Sequence, residues 1–486
     1  MAYELQNLQP NRLWHYFLEI SKIPRPSKKE VKIAAYIREF AEARNLSCII
    51  DEAGNVIVRK KASPGYEKRR GVILQCHLDM VCEKNSDSAH DFDMDPIMPY
   101  VDGNWVKAKG TTLGADDGIG IAAALAILES TEILHGPLEA LFTMDEETGL
   151  TGAFALKPGQ LDGRILINLD SEDEGQLFIG CAGGKDTVAT TPLETEEVPA
   201  GHVAYKFTLK GLKGGHSGDD INKGQGNAVK LMNRFLWNAR ETFETALADF
   251  NAGNLRNALA REAFAVITVH RDNEKALLAY ASAFSDDIIA EYRVTEPDIH
   301  FAPELAEMPD SVLSSELQAD LLDALYACPH GVIAMSREIP DFVETSTNLA
   351  SVKFIDKKIV ITTSQRSSVE SSKKDIADMV ASVFYLMQAD VVHSEGYPGW
   401  KPNPESGLLK LSVEAYKRLF KEEPKVLAIH AGLECGLIGA IYPGMDMVSF
   451  GPTIKGAHSP DERLDIASTT KFWDLTLEVL RTIPEV

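Results

Sequence analysis

The sequence predicts an α/β protein in which a mostly parallel-sheet domain is split by an inserted α+β domain. Three observations predict it. Apolar strand-like runs alternate with amphipathic helices as far as Asp170, the pattern of a parallel sheet with helical crossovers. Between Val203 and about Met387, hairpins joined by helices replace that alternation, and it returns after about Ala389. At 486 residues the chain also exceeds the length at which a single core stops growing. The expected division is 1–192 and 389–486 for the parallel-sheet domain and 193–388 for the insert.

In chain order, a helix Asn11 to Ile20 leads to Pro24-Arg25-Pro26. Ser27-Lys28-Lys29-Glu30 then reads as a capping box for a second helix through Ala43, supported by the spacing of Val31, Ala34, Ala35 and Phe40. The strand-like run Val72 to Gln75 ends at His77-Leu78-Asp79, whose His and Asp share one face of an extended chain. Gly110 to Gly120 is a glycine-rich turn that holds Asp116 and Asp117 just before an apolar helix, Ile119 to Leu128. Pro137 to Phe142 ends in the acidic knot Asp145-Glu146-Glu147, and Gly163 to Leu169 ends at Asp170. The acidic stretch Glu194 to Val198, between Pro192 and Pro199, reads as a hinge.

In the insert we expect strand Val203 to Leu209, helix Asn227 to Trp237, strands near Leu255 and at Ala263 to His270, and helix Glu274 to Phe284. A similar succession follows: helix Ser314 to Tyr326, strands Asn348 to Phe354 and Lys358 to Gln365, and helix Lys373 to Met387. Beyond it come helix Leu408 to Phe420, strand Val426 to Ile429, and strand Met445 to Phe450 with a following turn that carries His458-Ser459-Pro460.

A hydrophobic fraction of 44% and a charged fraction of 25% are those of an ordinary soluble protein. The net charge of −23 argues against nucleic acid or an anionic membrane as partner. Met1-Ala2-Tyr3-Glu4 lacks the start of a secretory signal, and Ile119 to Leu128 is too short to span a bilayer, so we expect a cytoplasmic protein. The six cysteines show no Cys-x-x-Cys pair and are too sparse for a disulfide framework, which points to reduced thiols.

His77, Glu147, Asp170 and His458 follow strand-like runs, whose ends are the edge at which open α/β sheets bind ligands, and Asp116 lies in the glycine-rich turn between them. Adjacent carboxylates repel unless a cation lies between them. Oxygen and imidazole donors without thiolate suit zinc, manganese or cobalt in a catalytic centre. Five ligands exceed the roughly three that one catalytic zinc keeps, whereas two metals sharing a carboxylate fit the number. Asp116 suits the bridge, because its glycines let the backbone approach closely. Each metal then has a His, the shared Asp116 and one further carboxylate.

The segments Gln75 to Val81, Gly114 to Gly118, Asp145 to Gly149 and Ile167 to Ser171 resemble those of the co-catalytic zinc exopeptidases of peptidase family M20. Gly214-Gly215-His216-Ser217-Gly218, Ile429 to Gly436 and Gly456 to Glu462 are similar to its aminoacyl-histidine dipeptidase, carnosinase-like branch, and the likeness runs from about Leu8 to the C-terminus. The resemblance implies a zinc-exopeptidase catalytic domain with an inserted lid and dimerisation domain, acting on small peptides as a homodimer.

It also implies two divalent metals, zinc first with cobalt or manganese as substitutes: one held by His77 and Asp170, the other by Glu147 and His458, with Asp116 bridging. Asp79 would orient His77. Glu146 would be the general base that draws a proton from a metal-bridging water. His216 would stabilise the oxyanion, from its own subunit or from a partner, and Asn257 and Arg366 would bind substrate. A guanidinium suits the substrate's terminal carboxylate, and Glu434 suits its ammonium. Asp117 departs from the Asn that similar enzymes often carry, and would add charge beside the bridge.

The expected reaction is hydrolysis of dipeptides, Xaa-His dipeptides such as carnosine among them. The competing readings are a broader dipeptidase, an N-acyl amino-acid deacylase, and a non-catalytic peptide- or zinc-binding relative.

Overall fold

A computed structural model describes residues 5–486. Contact density divides the chain into two compact units: 1–180 with 402–428 and 433–486, and 181–401 with 429–432. The first contains an eight-stranded sheet in the order Ser47–Ile50, Val56–Lys60, Leu138–Thr143, Val72–His77, Ile165–Asn168, Asp446–Ser449, Gln176–Cys181, Lys425–Ile429. Its four central strands are Leu138–Thr143, Val72–His77, Ile165–Asn168 and Asp446–Ser449. They run parallel, in the register Val72↔Leu138, Val72↔Ile165 and Asp446↔Ile165. The first three of them are buried along their whole length, which is why they read as apolar runs rather than alternating ones.

The helix Ala115–Glu129 is buried on nearly every side and packs against Asn11–Ser21, whose Trp14 and Phe17 are fully buried. A four-stranded sheet, in the order Ile454–Lys455, Arg463–Asp465, Trp105–Ala108, Pro99–Asp102, sets the C-terminal hairpin beside the chain that leads into Ala115–Glu129.

The second unit carries an antiparallel sheet in the order His300–Leu305, His202–Lys210, Ala263–His270, Ala246–Gly253, Val343–Ile355, Lys358–Ser367, Gly183–Pro192, Asp390–His393. Gly331–Met335 adds to Val343–Ile355. Helices Ala228–Phe243, Glu274–Tyr292, Ser315–Ala327 and Glu370–Leu386 contribute to one core around Phe207, Phe235, Phe284, Leu321 and Phe384.

Several expectations are corrected. The acidic stretch 194–198 is no hinge: Thr195–Glu196 pairs with Val312–Leu313 inside the second unit. The strand expected near Leu255 is Ala246–Gly253, and Leu255 lies beyond it, 62% exposed. The helix from Glu274 runs on to Tyr292 through Asp286 and Asp287, which face solvent. Ser27 and Glu30 form no capping box. Lys28 takes a left-handed conformation (φ 67°), and Glu30 precedes a helix that spans Val31–Glu42 with no side-chain cap bond. Among the described residues no helix is long and apolar enough to cross a membrane.

Candidate metal centre and polar cluster

Register places the first unit's candidate residues on one edge of its sheet. His77 closes its strand opposite Thr143, and Gln75 stands opposite Asn168. Glu146 and Glu147 therefore follow one neighbouring strand and Asp170 the other, at the same end. Asp145 turns the chain through a left-handed residue (φ 50°) into the short helix Glu146–Gly149. His458 sits in the hairpin between Ile454–Lys455 and Arg463–Asp465.

The five candidate ligands converge. His77 Nε2 lies 3.0 Å from Asp116 Oδ1 and 3.2 Å from Asp170 Oδ1. His458 Nε2 lies 3.2 Å from Asp116 Oδ2 and 3.1 Å from Glu147 Oε2. Asp116 thus turns one oxygen to each imidazole, and each imidazole has a second carboxylate of its own. His77, Asp116 and Asp170 form one group that can hold a cation, and Asp116, Glu147 and His458 another. His77 is buried while the His458 side chain is 52% exposed, so the cluster opens on the His458 side.

Electrostatics favour cations here. Among the described residues no Lys or Arg side chain is bonded to Asp116, Glu146, Glu147 or Asp170, and Glu147 Oε1 is buried without a partner. Burial, then the charges of Asp170, Glu434 and Glu147, push Glu146 well above the usual carboxylate range. Burial and the nearby Asp116 drive Asp170 up to about 7, against the pull of His77. Burial pushes Asp116 upward too, but bonds to His458 and His77 outweigh it and hold the carboxyl far down. Bonds to Asp116 and Glu147 raise His458 to about 11. Two imidazoles set among three carboxylates form a donor set that fits two divalent cations.

Asp79 does more than face His77 Nδ1 at 3.4 Å. Its Oδ1 accepts from Glu146 N at 3.0 Å and its Oδ2 from Glu147 N at 3.2 Å and Ser27 Oγ at 2.7 Å. One carboxylate therefore aims the imidazole and both glutamates. Ser27 is spent on Asp79, and Glu30 on Lys28 N and Asp145 N, which is why neither caps the helix. Asp117 does not charge the bridge as expected: it is buried, caps Gly120 N at 3.1 Å, and is pushed up by burial and then by Asp170, which favours the neutral acid. Glu434 is buried, its Oε2 taken by Thr143 Oγ1 and Gln75 Nε2, both at 2.6 Å, and burial lifts it to about 7. Cys76 is buried and its thiol driven well above 9.0 by burial, the state of an inert cysteine rather than a nucleophile.

The second unit gathers His216 and Arg366. Arg366 is 6% exposed and lies inside the strand Lys358–Ser367. It donates to Tyr397 Oη at 3.0 Å and Ser217 Oγ at 3.3 Å, and its Nη2 sits 3.4 Å from His216 Nε2. His216 Nδ1 accepts from Asp219 N at 3.1 Å, which leaves the proton of the neutral ring on Nε2. Burial, then Arg366, lowers the His216 pKa and favours that neutral ring. An N–H and a guanidinium then converge, an arrangement that receives an oxyanion or carboxylate. Asn257 is exposed next to this loop; its backbone carbonyl accepts from Ser217 N at 2.9 Å.

His430, undecided in the sequence, is buried with Nε2 2.7 Å from Ser346 Oγ, and Ser346 stands opposite Arg366 in the sheet. Sequence reasoning missed Tyr397, Ser217, Ser27 and Glu30. Ser217 stands next to His216 in the glycine-rich motif, Ser27 and Glu30 carry only the spacing of a capping box, and Tyr397 carries no local signal.

The sequence model of peptidase family M20/M25/M40 matches residues 73–482. The cytosol non-specific dipeptidase of Escherichia coli (strain K12) is 45% identical over 481 residues, covering 99% of each chain. The crystal structure of aminoacylhistidine dipeptidase from Vibrio alginolyticus superposes with a TM-score of 0.93 at 44% identity, over 99% of this chain and 98% of that one. A tripeptidase from Staphylococcus aureus shares the fold, with a TM-score of 0.57 at 17% identity over 98% of this chain and 99% of that one.

Proposed function

Because this chain belongs to peptidase family M20/M25/M40, we propose that it is a metal-dependent dipeptidase that hydrolyses small peptides, Xaa-His dipeptides such as carnosine among them. The observation that carries the reading is Asp116, which faces His77 with one oxygen and His458 with the other while Asp170 and Glu147 complete the two groups. His77, Asp116 and Asp170 would hold one divalent ion, and Asp116, Glu147 and His458 the second, with zinc as the resident metal. When bound, such a pair polarises the scissile carbonyl and lowers the pKa of water.

The chain's own groups do the rest. Glu146 Oε takes the proton of the attacking water and returns it to the leaving amine. Burial and the neighbouring acids push that carboxyl above the usual carboxylate range. Asp79 holds that glutamate through its backbone N–H. His216 Nε2–H meets the developing oxyanion, and Arg366 takes the substrate's terminal carboxylate with Asn257 beside it. Glu434 takes the substrate ammonium through Oε1, which has no partner among the described residues. In this reading the first unit, expected as 1–192 and 389–486, is the catalytic domain, and the second, expected as 193–388, a lid and dimerisation domain; the strands Gly183–Pro192 and Asp390–His393 go with the second. The protein works in the cytoplasm, in keeping with the cytosolic relative, and acts as a homodimer.

That relative's non-specific activity favours a second reading, a broader dipeptidase. Rates on carnosine, Ala-His, Ala-Ala and an acetylated amino acid separate them. A kcat/KM at least tenfold higher for the histidine dipeptides supports the narrow substrate class. Equal rates support the broad one, and hydrolysis of the acetylated amino acid alone overturns both.

A further inference from the structure

Asp116 has to present two oxygens in two directions from a loop poorly suited to hold still. Gly110, Gly114, Gly118 and Gly120 surround it, and Gly110 and Gly114 take positive φ angles of 72° and 68°. Such a loop gives up much conformational freedom when fixed. Glu462 is what fixes it. The residue is 2% exposed, and its carboxylate accepts from four consecutive backbone N–H groups. Leu113 N lies 2.7 Å and Gly114 N 3.0 Å from Oε2; Ala115 N lies 2.7 Å and Asp116 N 3.4 Å from Oε1.

Arg25, 3% exposed, grips the same loop from its carbonyl side. Its Nη2 donates to Gly114 O at 2.5 Å, and its Nη1 to Asp79 O at 2.6 Å and Leu78 O at 3.1 Å. A Cβ at Gly114 or at Gly118 would come within 2.7 Å of this guanidinium, which is why both positions are glycine.

Glu462 is also four residues from His458 in the same hairpin. It closes the turn through its own N–H to Ser459 O at 3.0 Å and runs into Arg463–Asp465, which pairs with the strand Trp105–Ala108 leading to the Asp116 loop. The hairpin with His458 and the loop with Asp116 are thus tied twice, by a strand pair and by one carboxylate.

We propose that Glu462 is a positioning residue for the metal pair: it locks the Leu113–Asp116 loop to the His458 hairpin, and so sets the affinity with which Asp116 shares two cations. This rests on the two-metal reading above. Gln at 462 has the same shape but only one acceptor oxygen, so its NH2 meets two of the four N–H donors head on. Asp keeps both acceptors but is one methylene short. Glu296 offers a control: it is buried in the second unit and accepts Lys213 N at 2.7 Å and Gly226 N at 2.9 Å.

The test strips the full chain of metal and titrates it with Zn2+ against a chromophoric chelator, for wild type, E462Q, E462D and E296Q. The thermal midpoint of each metal-free protein is measured alongside. The expected result is zinc binding weakened by about 10–100-fold at both sites in E462Q, partly restored in E462D, and unchanged in E296Q even where E296Q lowers the midpoint as much. Binding in E462Q equal to wild type, or an equal loss in E296Q, overturns the proposal while the two-metal reading stands. Wild type that takes up no zinc overturns both.

Discussion

Replacing Glu146 by Gln removes a base and little else. Among the described residues the Glu146 carboxylate makes no side-chain hydrogen bond; it lies among Asp170, Glu434 and Glu147, whose charges oppose its ionisation. The substitution therefore breaks no bond and relieves like-charge repulsion, so the metal-free protein should unfold at the same temperature as wild type or higher. A positioned general base contributes about 10²–10⁴ in rate. Its loss should raise the barrier by roughly 3–5 kcal/mol.

The assay is kcat for a dipeptide at saturating zinc, together with metal content of the same samples by elemental analysis. The account expects kcat to fall by at least about 10²-fold with both metals retained, because neither the His77–Asp116–Asp170 group nor the Asp116–Glu147–His458 group includes Glu146. Glu146 also falls into a third grouping, with His77 and Glu147. If it ligates there, the variant loses metal as well as rate, and the base assignment is wrong. A kcat within about tenfold of wild type refutes it equally.

Other perturbations read other parts of the account. Arg366→Lys keeps the charge but loses the fork, so KM for a free dipeptide should rise by about 10–100-fold, the equivalent of one charge-assisted bond. A C-terminally amidated dipeptide should show no such rise, and an equal penalty on both substrates would remove Arg366 from carboxylate recognition. Asp79→Asn should loosen zinc by about 10–100-fold and lower kcat further, since Asp79 also aims Glu146; an unchanged affinity would leave it no part in holding His77. His430 is held down to about 3 by burial and the nearby Arg366, below its ordinary 6.5. The unfolded chain therefore binds a proton there below pH 6.5 that the folded chain refuses, and stability falls with pH from 6.5 toward 3 at ~1.4 kcal/mol per unit. His430→Gln should accordingly lose about 3 kcal/mol less than wild type between pH 7.5 and 4.5 in urea unfolding. Identical pH profiles would contradict the buried neutral imidazole.

Much of the fold was legible because burial writes itself into sequence. Val72–His77, Leu138–Thr143 and Ile165–Asn168 are apolar because helices or other elements cover both faces, and polar residues at their ends stood out against that background. The residues that gather around Asp116 were legible for the same reason. Gly183–Pro192 was not, since a strand of Thr, Lys and Asp with only alternate burial resembles a loop. Ser27 and Glu30 match a capping box in spacing, yet their partners are Asp79 and Asp145, more than 50 residues away along the chain. Spacing cannot reveal such partners. The same holds for Tyr397 under Arg366, for Glu462 under Asp116, and for Glu434, whose burial against Thr143 and Gln75 depends on where a distant helix begins.

Whether Asp116 stands between two metals is decided by anomalous diffraction from zinc-loaded crystals. Two peaks should flank the Asp116 carboxylate, roughly 3.5–4 Å apart, one against His77 and Asp170 and the other against Glu147 and His458. A single peak, or a pair that leaves Asp116 unligated, would contradict it.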